Sequence, residues 1–205
     1  KTYSLKILNK SKISESTKNK LNNWIKNDRK IILLGCQMKT QKNPLFAFSC
    51  WVRLRHIYKS NACFLIIGDG PLKNKISEKI LDLNTNLIED TLQIDWVPDL
   101  SRYILISDIL LMPSFFEGMN LTLLECISYN KDIILSKFEG ADEIMNFGKC
   151  CTQINDLDEN KWAKHIHKVL SDQNKRKNIN TINEEFLSYY SDYECVQSLQ
   201  KSINS

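Results

Sequence analysis

Short, uninterrupted apolar runs, each closed by a turn-forming residue and separated by stretches of helical periodicity, are the strongest constraint on how this chain folds. Ile31-Ile32-Leu33-Leu34 is such a run, too short for a helix and bounded by Gly35. Ala62 to Ile67 repeats it before Gly68-Asp69-Gly70-Pro71, and Thr91 to Asp95 is a third. Ile109 to Met112 is a fourth, stopped by Pro113-Ser114; Asp132 to Ser136 and Cys150 to Ile154 follow. Strands apolar along their whole length are buried on both faces, as in a parallel sheet. Between the runs, Asn43-Pro44 reads as a helix start, Asn as the cap and Pro in the first turn. Ala47, Cys50, Trp51, Leu54 and Ile57 then recur at helical spacing. A polar helix carries Leu72, Ile76, Ile80 and Leu83, a short one spans Leu100 to Ile106, and an apolar one spans Asn120 to Ser128. Strand and helix in alternation predict a doubly wound, Rossmann-like α/β domain with right-handed crossovers and no internal repeat.

The pattern places that domain at residues 31–170. Residues 1–30 are rich in Lys, Asn and Ser, with a modest helical pattern at Leu21, Trp24 and Ile25, and read as a lead-in or linker. Residues 171–205 read as C-terminal helices. With 42% apolar and 25% charged residues, the 205-residue chain is neither disordered nor low-complexity. Its net charge of +4 is dispersed rather than blocked, so a phosphate-bearing small ligand fits and a nucleic-acid footprint is not indicated. The seven cysteines, at 36, 50, 63, 126, 150, 151 and 195, have no metal-ligand spacing. They read as reduced thiols of a cytoplasmic protein. No stretch reaches the roughly 18 apolar residues needed to span a bilayer. The chain begins at Lys1 and is expected to be part of a longer protein.

In an open α/β sheet, ligands bind beyond the carboxyl ends of the strands. Four loops of unusual composition leave those ends. Gly35 to Pro44 carries amides and lysines that could meet a phosphate, or is a solvated loop. Gly68-Asp69-Gly70-Pro71 is either a tight turn or a close backbone approach to a ligand. Asp95-Trp96-Val97-Pro98 puts a Trp at a strand end, to stack on a base or to pack in the core. The fourth loop turns through Glu117-Gly118 into a helix at Asn120. The free amides of such a first turn, with the helix dipole, suit a diphosphate without a metal. Glu125, inside that apolar helix, is costly to bury unless it accepts hydrogen bonds, from paired ligand hydroxyls or from a lysine.

Glu117 and Glu125, within Phe-Glu-Gly-Met-Asn-Leu-Thr-Leu-Leu-Glu, resemble the E-x7-E motif of retaining glycosyltransferases of family 4 with the GT-B fold. Lys42-Asn43-Pro44, Gly68-Asp69-Gly70-Pro71, Trp96-Val97, Ser107-Asp108 and Pro113-Ser114 fall in that family's order, over roughly residues 31–170. The resemblance implies the C-terminal, donor-binding half of the fold, and transfer of a sugar from a nucleotide-sugar, usually a UDP-sugar, with retention. It implies surface polysaccharide, capsule or lipopolysaccharide synthesis, with a saccharide or lipid-linked acceptor and no metal or cofactor. By position, Glu117 would meet the donor sugar's hydroxyls and Lys42 would neutralise the leaving phosphate. Glu125 would hold the ribose. The backbone at Gly118, Met119, Asn120, Leu121 and Thr122 would cradle the diphosphate, with Gly35 beside it, and Asp95-Trp96 would meet the base.

Two departures stand out. The family usually has Gly-Arg after the first strand, where this chain has Gly35-Cys36-Gln37; Lys39 is a displaced substitute. It also tends to have Gly where Asp95 stands, and a carboxylate there would repel a phosphate. The acceptor half would come from an N-terminal domain or partner subunit, onto which the helices of residues 184–190 and 193–199 would cross. The whole protein would work in the cytoplasm or at the inner face of the membrane. His56, His165 and His167 fall on helices away from the strand ends. The alternatives are a non-catalytic subunit assisting a paralogue, and a GT-B UDP-sugar epimerase.

Overall fold

The computed structural model describes residues 13–118, 120–139, 141 and 150–172. The elements run α1 (Glu15–Lys26), β1 (Lys30–Gly35), a 3-10 turn (Thr40–Lys42), α2 (Pro44–Tyr58), β2 (Ala62–Ile67), α3 (Lys73–Leu81) and α4 (Thr85–Glu89). They continue with β3 (Thr91–Ile94), α5 (Ser101–Ile106), β4 (Ile109–Met112), α6 (Leu121–Ser128), β5 (Asp132–Ser136), β6 (Cys151–Ile154) and α7 (Glu159–Ser171). All six strands are parallel in the order β3-β2-β1-β4-β5-β6. The order reverses between β1 and β4, which is where a doubly wound sheet opens its ligand crevice.

Alternate side chains of each strand face opposite layers. Ile31 and Leu33, with Cys63, Leu65, Leu110, Ile133 and Leu135, pack under α1, α5 and α6. Ile32 and Leu34, with Phe64, Ile66, Leu111 and Ile134, pack under α2 and α7, where Trp51 and Trp162 are fully buried. β2 is buried at every position, so the continuous apolar run reports its place inside the sheet.

The segment expected as a lead-in contributes a helix to this core. Leu21 and Trp24 of α1 are buried in the first layer, and Ser14 caps the helix by accepting from Thr17 N. Its low average hydropathy hides a narrow apolar stripe that suffices to bury one face. Asn43 differs from expectation too. It precedes α2 in the left-handed conformation (φ 50°) and makes no side-chain cap; its amide closes the 3-10 turn onto Thr40 O instead. Pro44 does begin α2. The sequence-expected helices of residues 184–190 and 193–199, and the stretch 173–205 as a whole, lie outside the described residues. No helix among the described residues is long and apolar enough to cross a membrane.

At the opposite end of the sheet from the crevice, Asp90 is buried between Arg29 (2.5 Å) and Arg55 (2.6 Å). Lys131 is buried likewise, donating to the carbonyls of Leu105 (2.8 Å) and Ser107 (3.1 Å), and burial lowers its pKa to about 8.

Candidate functional site

Register places the strand tips level: Gly35 pairs with Ile67, and Ile67 with Ile94. The loops beyond them are stitched backbone to backbone. Cys36 N donates to Ile67 O (3.1 Å), Met38 N to Asp69 O (2.8 Å) and Leu72 N to Met38 O (2.8 Å). Gly68 (φ 144°) and Gly70 (φ 146°) make this possible, because a Cβ on Gly68 would lie 1.9 Å from Cys36 O. The Gly-x-Gly signal is therefore first a device for loop-on-loop contact.

Beyond the tips opens a cavity of about 730 Å³, lined by Gly35, Cys36, Gln37, Gly68, Asp69, Trp96, Val97, Pro98, Leu100, Leu121, Thr122 and Glu125 among others. The start of α6 faces it. Asn120 caps that helix, its Oδ1 accepting from Leu123 N (3.1 Å), while the first-turn amides of Leu121 and Thr122 have no acceptor inside the helix. The apolar run after Asn120 buries Leu123, Leu124 and Ile127, and so aims the helix start at the strand tips.

Of the residues singled out by sequence, Gly35, Trp96, Leu121, Thr122 and Glu125 come together on this wall. Glu125 is half-buried and, among the described residues, has no lysine partner and no hydrogen-bond donor. Burial, with the nearby Asp99 carboxylate adding, pushes its carboxyl up to about 7. Trp96 is 69% exposed and stands over the cavity rather than in the core.

Glu117 and Lys42 come together elsewhere. They form an ion pair with the Glu117 side chain only 2% exposed, and its Oε1 has no hydrogen-bond partner. Phe115 N to Gln41 O (2.9 Å) and Gln41 Nε2 to Phe116 O (2.8 Å) hold the two loops in that register. Neither residue lines the cavity, nor do Lys39, Gly118, Asn120 and Asp95. Met119 lies outside the described residues. Asp95, which sequence alone sets against a phosphate, is paired with Lys73 at 2.6 Å. Sequence reading missed Lys73; its only signal is a spacing of i, i+4 from Asp69. The histidines lie on α2 and α7, with His167 stacked on Tyr58 at 4.3 Å. No group of three His, Cys, Asp or Glu among the described residues could hold a metal.

Cys36 occupies the position after Gly35, and burial pushes its thiol up to about 12. Thiolate is the reactive form. Iodoacetamide at pH 8 is therefore expected to leave Cys36 unmodified although it lines the cavity; peptide mass spectrometry checks this, and rapid alkylation would contradict it.

The profile described as "Glycosyl transferases group 1" matches residues 15–186. This chain belongs to that family. The match begins at α1, in keeping with the packing of that helix into the core. Over 121 residues the group 1 domain is 31% identical to the Escherichia coli UDP-Gal:alpha-D-GlcNAc-diphosphoundecaprenol alpha-1,3-galactosyltransferase, covering 58% of this chain and 31% of that protein. Among solved structures it is similar to WaaG, a glycosyltransferase involved in lipopolysaccharide biosynthesis (TM-score 0.65, 18% identity, 94% of this chain and 50% of that one). It is also similar to Anabaena Alr3699/HepE in complex with UDP and glucose (TM-score 0.69, 12% identity, 94% and 53%). These likenesses establish a GT-B-type Rossmann-like fold, and the chain spans about half the length of these two structures and 31% of the galactosyltransferase.

Proposed function

We infer that this group 1 domain is the donor-binding part of a retaining glycosyltransferase of family 4 that takes a UDP-sugar. One observation carries the reading: the open first turn of α6 and the unpartnered Glu125 face the same cavity at the strand tips. Cleaving the anomeric C–O bond leaves negative charge on the diphosphate. Fixed amide donors at Leu121 and Thr122, with the helix dipole behind them, stabilise that charge as it develops, so no metal is required. Glu125 accepts both ribose hydroxyls, and the base lies against the Trp96 loop. Glu117 Oε1 has no hydrogen-bond partner but is buried in the ion pair with Lys42 outside the cavity wall, so in this reading the pair holds the Glu117–Gly118 turn ahead of α6.

The acceptor, a saccharide or lipid-linked saccharide, is supplied to this half by an N-terminal domain or partner subunit, in surface polysaccharide synthesis at the cytoplasmic face of the membrane. The galactosyltransferase named above supports a lipid-linked acceptor. Titration calorimetry with UDP tests the donor site. Glu125→Ala is expected to raise Kd about tenfold to a hundredfold, the scale of lost charge-assisted hydrogen bonds. Equal affinity of both proteins would remove Glu125 from the ribose.

A further inference from the structure

Lys73, at the start of α3, stands between two carboxylates from two different strand-tip loops. Its Nζ lies 2.6 Å from Asp95 Oδ1 and 3.7 Å from Asp69 Oδ1. Asp69 lines the cavity and is held in place: its Oδ1 accepts from Gly70 N (2.8 Å) and its carbonyl from Met38 N (2.8 Å). Asp95 immediately precedes Trp96. Among the described residues no hydrogen bond joins Trp96, Val97 or Pro98 to the rest of the protein, so the Lys73–Asp95 pair is the polar tether of that loop. The lining carries charge at Asp69 and Glu125 and has no cationic side chain, with Cys36 standing after Gly35.

We propose that Lys73 is a positioning residue for donor binding, which ties the Trp96 loop to the Gly68–Pro71 turn and offsets one of the two negative charges of Asp69 and Asp95 beside a cavity that takes an anionic diphosphate. The proposal rests on the nucleotide-sugar reading of that cavity. An exposed ion pair adds little to stability, since solvent screens it and side-chain entropy opposes it. Its effect on an incoming anion is different, because uncompensated carboxylates repel the ligand in a salt-dependent way. Lys73 also holds a raised pKa through its bond to Asp95, so it stays cationic across the working range.

The test uses the 205-residue chain labelled with 5-fluorotryptophan. Trp24, Trp51 and Trp162 are buried, and Trp96 is assigned by Trp96→Phe. In Lys73→Met, which keeps the aliphatic stem, only the Trp96 fluorine resonance is expected to move. UDP binding is expected to weaken about tenfold at about 50 mM NaCl and about threefold at about 500 mM, as screening removes the repulsion. Lys73→Arg restores both, and Lys73→Met/Asp95→Asn binds UDP more tightly than Lys73→Met. An unmoved Trp96 resonance overturns the tether. Movement of all four resonances also overturns it, as does Asp95→Asn adding to the binding loss instead of relieving it. Wild type that fails to bind UDP sinks the donor-site reading, while the ligand-free Trp96 spectra still decide the tether.

Discussion

Glu125→Gln is expected to stabilise the ligand-free chain by about 1–2 kcal/mol at pH 8 while weakening its hold on UDP. The carboxyl has no donor among the described residues, and burial raises it from 4.5 to about 7. The folded chain therefore binds this proton more tightly than the unfolded chain. Stability from the group is full below about 4.5 and is lost as pH rises through about 7. Gln mimics the protonated form and removes that slope. The full shift sets a ceiling of about 3 kcal/mol, at roughly 1.4 per pH unit, and partial solvent access lowers it. Urea unfolding of both proteins at pH 4 and pH 8 checks the expectation: the midpoints should agree at pH 4 and separate at pH 8. Coincidence at both values would mean the protein itself satisfies the carboxylate. The sign is the informative part, because a side chain whose removal stabilises the empty fold is one whose partner arrives with a ligand.

Gly68→Ala is expected to cost about 3 kcal/mol or more and to abolish UDP binding. At φ 144° a Cβ would meet Cys36 O at 1.9 Å, and the obstacle is backbone held by Cys36 N to Ile67 O, so no rotamer change relieves it. The Cys36–Met38 segment would be pushed off the Gly68–Pro71 turn, opening the cavity wall that both form. Gly118 has open space around it, so Gly118→Ala is expected to change stability by less than about 0.5 kcal/mol. Denaturant midpoints of the two variants decide the matter. Equal midpoints would show that the loop pair yields without cost.

Much of the fold was legible because a strand buried on both faces leaves a mark that needs no partner to be seen. Ile31 to Leu34, Ala62 to Ile67 and Ile109 to Met112 are continuous apolar runs of strand length, and each is a strand. From sequence α1 reads as lead-in because its apolar stripe, Leu21, Trp24 and Ile25, is diluted by Lys and Asn; only the layer it packs on reveals that the stripe suffices. The Asn43 cap failed for a related reason: Asn suits both a cap and a left-handed turn, and the 3-10 turn before it chose the latter.

The candidate site divides in the same way. Local sequence determined the start of α6, its Asn120 cap and the inward place of Glu125, since turn chemistry and helical periodicity act over a few residues. Tertiary structure alone decided that Lys42 meets Glu117, 75 residues away, and that Lys73 meets Asp95. Long charged side chains carry no periodic signal, and their partners depend on which loops the strand order brings side by side.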